Sequence, residues 1–168
     1  MSRTTRLLLT LAVALVALCA TFGSAAAAPR TADTTPPPGN TSLERAYQAE
    51  KQHLRMMEGQ FHQARAFADE VAALIQRLKE HGGDTMPLER ALATFRDRMG
   101  AAHRQWEAAR DILATHAGFD DEGHVTNADR ARATVRNAHA HLMRADRIIR
   151  AAFHDLRTAA AAFLEPHH

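Results

Sequence analysis

Apolar side chains recur at alternating intervals of four and three residues along most of the chain, and this repeat constrains the fold more than any other feature. The repeat forms three segments, at residues 43–78, 88–116 and 128–163. An apolar seam with this spacing is typical of helices that pack at shallow angles, as in coiled coils and bundles. The sequence therefore predicts an all-α fold, an up-down-up antiparallel three-helix bundle.

Residues near the segment ends are those that start and stop helices. Thr41 and Thr126 each precede an acidic residue by three positions, which is the spacing of a capping box. Pro87 suits a first helical turn, and Gly118 stands where a helix commonly ends. We expect helices at about 42–80, 86–116 and 126–164, with links short enough to make neighbours antiparallel.

The first 27 residues have the three-part layout of a secretory signal peptide. Arg3 and Arg6 precede an apolar stretch at 7–18, and small residues follow at 24–28. The apolar stretch falls short of the roughly 20 residues that a membrane-spanning helix needs. The sequence therefore predicts an exported protein, periplasmic or extracellular.

Cleavage is expected after Ala27, because cleavage one residue later would leave Pro29 at the scissile bond. Residues 28–40 then form a Pro-rich linker ahead of the bundle at 41–168. A retained anchor, or a lipid attached to Cys19, is the alternative.

Charge and cysteine content exclude several classes of protein. The chain has 21 Lys and Arg residues against 19 Asp and Glu residues, and two of the arginines lie in the predicted signal peptide. A nearly neutral mature chain is not expected to bind nucleic acid through bulk charge. A single cysteine excludes a disulfide scaffold, a zinc ribbon and a CxxC redox centre.

Motifs of catalysis are absent from the sequence. It contains no GxSxG, HExxH, P-loop or GxGxxG pattern. We therefore expect a non-enzymatic protein without a cofactor, an interaction, structural or stress-related module at the cell envelope. Its partner would be an unidentified protein or envelope component, and the alternative is an extracytoplasmic protein that binds copper or zinc.

The metal alternative depends on the register between helices two and three. Folding these helices together places Arg96 opposite Asp146, and His103 opposite His139. Met99 and Met143 lie one turn from these histidines, so two imidazoles and two thioethers would meet. Such a ligand set suits copper, above all Cu(I). Zinc held by the two histidines with water or Glu107, and an ordinary pair of flanking histidines, remain the other interpretations.

The same register predicts two further features. Helix three would project beyond helix two by about 15 Å and expose Leu156, Phe163 and Leu164, which predicts self-association or partner docking. Glu50 and His116, the polar breaks in the first two seams, would lie at one level and pair. Frayed helix ends, with both side chains in water, are the alternative for that pair.

In its overall form the chain resembles small extracytoplasmic helical proteins, a group that includes periplasmic stress chaperones and metal-responsive sensors. The shared features are a signal peptide, Ala- and Arg-rich helices, and scattered His and Met residues. The LTxxQ motif of the Spy/CpxP-type chaperones does not occur here, so no functional residue is carried over. The segment 116–126 is similar to uncharacterised secreted helical proteins, and that resemblance implies no particular activity.

Overall fold

The computed structural model describes residues 39–164, which form three helices. These are α1 (Gly39–Glu80), α2 (Met86–Ala114) and α3 (Ala128–Leu164). Within this range there is no strand, and one isolated β-bridge joins Phe119 to Val125 between α2 and α3. The all-α prediction is confirmed, and each helix end lies within three residues of its predicted position.

The N-terminal predictions fall outside the described residues. The expected signal peptide at 1–27 and nearly all of the expected linker at 28–40 are not described, whereas residues 39 and 40 are already helical. None of the three described helices carries an apolar stretch long enough to cross a bilayer.

Every position of the three predicted seams is buried or half-buried. Between α2 and α3 the seam is built of alanine, because Ala131, Ala138, Ala145 and Ala152 recur at seven-residue intervals and are at most 2% exposed. Small side chains let two helix backbones approach closely, and α2 and α3 are accordingly the closest pair of helices.

The first helix packs on this pair through larger side chains. Phe67 of α1, Phe95 of α2 and Phe153 of α3 meet with ring centroids 5.1–6.0 Å apart. Nearer the start of α1, the Trp106 indole N–H donates to the Leu54 carbonyl oxygen at 2.9 Å. Bulky aromatic contacts of this kind hold α1 farther from its neighbours than α2 lies from α3.

Two ion pairs join α1 to α2. Lys79 near the end of α1 lies 2.9 Å from Glu89 near the start of α2, and Asp69 lies 3.8 Å from Arg96. The predicted partner of Arg96 was Asp146, which instead pairs with Arg150 on its own helix.

The predicted register between α2 and α3 is wrong by about one heptad. Gln105 contacts His141 at 2.9 Å, where residue 137 was expected, and Arg98 pairs with Asp155, where residue 144 was expected. The physical reason is the alanine repeat: sliding α3 by seven residues places one buried alanine where the next one was. The seam pattern therefore does not distinguish the two registers.

The connection between α2 and α3 folds back onto the start of α1. Phe119 stacks on Tyr47 with ring centroids 4.2 Å apart, and the Tyr47 hydroxyl donates to the Leu113 carbonyl oxygen at 3.1 Å. Glu44 accepts a hydrogen bond from the Val125 backbone N–H at 3.0 Å. These contacts close one end of the bundle.

Both predicted capping boxes are wrong. Glu44 is used by the α2–α3 connection, and Thr41 lies inside α1. At the start of α3 the cap is Asn127, whose side-chain oxygen accepts from the Arg130 backbone N–H at 3.0 Å. Asparagine is as good a helix N-cap as threonine or better, which explains the shift by one residue.

Candidate functional site

The two histidines of the predicted metal site lie apart. His139 has its Nδ1 atom 2.8 Å from Oε1 of Glu50, on α1. His103 packs its ring against Phe61, also on α1, with centroids 5.2 Å apart. Eleven helical residues separate Glu50 from Phe61, a distance of about 16 Å along α1. The prediction that His103 faces His139 is wrong, and the shifted register of α3 is the cause.

The two methionines do not complete a ligand set either. Met99 packs half-buried against the core cluster around Trp106, and Met143 is half-buried on α3. Across residues 40–163, no group of three His, Cys, Asp or Glu side chains is placed to hold a metal ion. The four predicted ligands therefore do not form one site.

The predicted apolar overhang of α3 is also corrected by the register. Leu156 is 2% exposed and lies beside Ala91 and Phe95 of α2, because α3 runs alongside the start of α2 instead of projecting past it. Phe163 is half-buried, and the side chain of Leu164 lies outside the described part. Leu156 and Phe163 therefore do not form the exposed patch that the sequence predicted.

The predicted pairing of Glu50 with His116 is replaced by another arrangement. The Glu50 side chain, 12% exposed, lies between His139 and His53, whose Nδ1 is 3.8 Å from Oε2. His116 follows the end of α2 with φ 38°, and its Nε2 lies 3.5 Å from a carboxylate oxygen of Asp121. The carboxylate at the seam thus ties α1 to α3, not α1 to α2.

A groove of about 650 Å³ lies between α1 and α2. We call it the α1–α2 groove. Its lining is apolar at the floor and charged at the rim, and the residues involved are Phe61, Ala64, Arg65, Ala68, Asp69, Phe95, Arg96, Met99, Gly100, His103 and Arg104.

The floor of the groove follows directly from the two seams. Ala64 and Ala68 of α1 are buried but small, so they leave room that larger seam residues would fill. Phe95 and Met99 supply the apolar surface from α2, and Phe61 closes one end beside Trp106. The floor is therefore lined by apolar side chains from two helices.

Gly100 leaves this groove open at its middle. The sequence pattern places Gly59 and Gly100 on outward faces of their helices, and for Gly59 this is confirmed, since nothing lies within 4 Å of its Cβ position. Gly100 is instead half-buried in the groove lining, with Arg104 Nη1 3.8 Å from its Cβ position. A side chain would fit there without a clash, and its absence adds width to the groove.

Three arginines stand at the rim. Arg96 is partly neutralised by Asp69 across the groove, at 3.8 Å. Arg65 and Arg104 are exposed, and neither forms an ion pair with a residue of the described part. His103 lies at the same end as Arg104, 3.6 Å from Glu107. With three arginines against Asp69 in its lining, the groove carries a net positive charge at its rim.

Sequence reasoning missed the groove because each of its residues has an ordinary explanation alone. The signal that could have revealed it is a glycine in the interior of α2, where the residue costs about 1 kcal/mol relative to alanine.

Comparison with protein-family models, with curated proteins and with solved structures gives no match to this chain.

Proposed function

We propose that this chain is a non-enzymatic binding module of the cell envelope and that the α1–α2 groove is its binding surface. In this proposal the three helices form an up-down-up antiparallel bundle, carried on a linker after export to the periplasm or the exterior. The signal-peptide pattern of residues 1–27 and the overall resemblance to extracytoplasmic helical proteins support the location.

The observation that carries the proposal is Gly100. Glycine inside a helix loses more conformational entropy on folding than alanine does, at a cost of about 1 kcal/mol. Elsewhere in the described part, Gly118 has a steric reason, because a Cβ would lie 2.2 Å from the Ala131 nitrogen. Gly100 has no such reason, and its effect is to widen an apolar groove.

The groove also has the features of a ligand site. Binding sites are concave, mostly apolar and provided with a few polar groups, within a volume of about 300–1,000 Å³. The α1–α2 groove lies within this volume range and combines apolar side chains, among them Phe61 and Met99, with charged side chains at the rim. An interaction module fits this arrangement better than docking at the C-terminal end of α3, where Leu156 is buried.

Binding of Nile red, a neutral fluorophore that brightens in apolar surroundings, tests the proposal. The full chain is compared with Gly100→Leu, which fills the groove, and with Gly59→Leu, which places the same side chain on an open helix face. We expect Gly100→Leu to weaken binding by about tenfold or more, the effect of removing about 1.4 kcal/mol of contact. Gly59→Leu should bind as the unaltered chain does.

Helical content and the unfolding midpoint of each variant show whether it folds. Two folded variants that bind the fluorophore equally would contradict the groove as the binding surface. The matched glycines make this comparison independent of helix propensity, since both substitutions replace a helical glycine by leucine.

A further inference from the structure

The distribution of charge around the α1–α2 groove indicates what kind of molecule it takes. We propose that the groove binds an amphiphile with one anionic head group and an aliphatic chain, such as a carboxylate, sulfate or phosphate monoester of an alkyl chain. The inference rests on the proposed function, because it names the ligand class of the same groove.

The floor fits the aliphatic part. Phe61 and Met99 are half-buried and present carbon and sulfur atoms, while Phe95, Ala64 and Ala68 are buried beneath and add no polar group. Along α2 the lining runs from Phe95 to Arg104, nine residues or about 14 Å. A medium-length alkyl chain laid along this floor would exchange water for apolar contact over its whole length.

The rim fits the anionic head. Arg65 and Arg104 lack an acidic partner in the described part, and Arg104 Nη1 lies 3.8 Å from the Cβ position of Gly100, over the apolar floor. A guanidinium group binds carboxylate, sulfate and phosphate oxygens through two parallel hydrogen bonds. The groove thus offers an unpaired cation next to the apolar surface.

The acidic residue at the rim sets the orientation of the ligand. Asp69 lies by Arg96, at the end of the groove opposite Arg104, and pairs with that arginine at 3.8 Å. An anionic head would be repelled by Asp69 and attracted by Arg104 and Arg65. The head is therefore placed beside Arg104, and the chain extends toward Ala68 and Phe95.

A small amphiphile fits this groove better than a docked helix. Over about 14 Å a partner helix would contact the floor for roughly two and a half turns. A contact of that length buries much less surface than the roughly 800 Å² per partner that a stable protein interface buries. Arg65 and Arg104 both line this short stretch, where an anionic head group supplies the opposite charge.

Calorimetric titration of the full chain with two surfactants tests the ligand class. Dodecanoate and dodecyltrimethylammonium have alkyl chains of the same length and opposite head charge, and both are used below their micelle-forming concentrations. We expect dodecanoate to bind about tenfold more tightly or better, because only its head pairs with the two arginines.

The double variant Arg65→Gln, Arg104→Gln should bind dodecanoate about tenfold more weakly than the unaltered chain does. It should bind dodecyltrimethylammonium no more weakly than the unaltered chain does. Its control is Arg136→Gln, Arg157→Gln, which removes the same charge from two exposed arginines of α3. The control should bind dodecanoate as the unaltered chain does. Equal affinity for both heads, or an equal loss in the α3 control, would overturn the inference.

The Gly100→Leu variant separates this inference from the proposed function. If the unaltered chain binds both surfactants with equal affinity and Gly100→Leu abolishes the binding of both, the groove is the binding surface and the anionic ligand class is wrong. If it leaves dodecanoate binding unchanged, both the inference and the proposed function fail. Light scattering would overturn the proposed amphiphile if the unaltered chain is a dimer and the Gly100→Leu variant is a monomer. The groove would then bind a second copy of the chain.

Discussion

His139 of α3 lies with its Nδ1 atom 2.8 Å from Oε1 of Glu50 on α1. Glu50 is a polar break in an otherwise apolar seam, and its side chain is 12% exposed. An interhelical polar pair of this kind fixes the register of two helices whose apolar positions permit several alignments. The pair therefore locates α3 where the alanine repeat does not.

A double-mutant cycle on Glu50→Gln and His139→Gln measures this pair. We expect a coupling free energy of about 0.5–1 kcal/mol, the range for pairs that are partly open to solvent. A parallel cycle on Glu50→Gln and His116→Gln should give no coupling, because His116 contacts Asp121 instead. Coupling to His116 and none to His139 would contradict the register described above.

Alanine substitutions at three glycines should separate propensity from sterics. Gly59→Ala and Gly100→Ala should each raise the free energy of unfolding by up to about 1 kcal/mol, since a Cβ clashes with nothing at either position. Gly118→Ala should lower it by at least about 1–3 kcal/mol, because φ is +90° and a Cβ would lie 2.2 Å from the Ala131 nitrogen.

Urea unfolding midpoints check this set of variants. The informative comparison is Gly100→Ala, which should stabilise the chain while narrowing the groove. A lower unfolding free energy in Gly100→Ala would mean that the glycine is needed for folding. Gly100 would then no longer support the proposal that the groove binds a ligand.

The decline of the unfolding free energy at low pH should depend on Glu89. The Thr85 hydroxyl donates to Glu89 Oε1 at 2.5 Å, and this bond together with Lys79 holds the pKa of Glu89 below its ordinary value. A carboxyl whose pKa is lower in the folded state contributes stability above its unfolded pKa and loses it as pH falls through the folded pKa. Stability should therefore fall below about pH 4.5.

Replacing Thr85 by valine removes the main cause of that shift and keeps a side chain of similar shape. Unfolding free energies from pH 2 to pH 7 should then decline less steeply below about pH 4.5 than in the unaltered chain. Asp120, whose pKa is lowered chiefly by the His124 backbone N–H, remains in both and gives the common background. If the unfolding free energies of the two proteins decline identically at low pH, Glu89 is not the cause of the decline.

Processing of the N-terminus tests the proposed location. Cleavage after Ala27 in the pattern Ala25-x-Ala27, which is followed by Ala28 and Pro29, should give a mature chain that begins at Ala28. Intact-mass measurement of the protein from its native host checks this. A mass that includes residues 1–27, or a lipid on Cys19, would contradict export of the cleaved form.

Prediction from sequence succeeded for the three helices and their seam positions, and it failed for the helix caps and for the alignment of α2 with α3. The seam positions depend on the 3.5-residue period alone, and all of them are buried or half-buried. The alignment of α2 with α3 depends on a choice among equivalent alanines, such as Ala138 and Ala145, which the apolar seam alone does not distinguish. The metal site and the overhang were both built on that choice.

The groove was beyond sequence reasoning for a different reason. Its width arises from Gly100 on one helix and from Ala64 and Ala68 on another, and only the register of α1 with α2 brings them together. A helical glycine on a face presumed to be in water has no visible consequence until the facing helix is placed.

Methyl NMR of the methionine side chains tests the binding surface most directly. Met99 lines the α1–α2 groove, whereas Met56 and Met86 are 57% and 52% exposed and stand outside its lining. On titration with dodecanoate we expect the Met99 methyl resonance to shift in a saturable manner while those of Met56 and Met86 stay in place. Saturable shifts at Met56 or Met86 with an unmoved Met99 would contradict the groove as the site of binding.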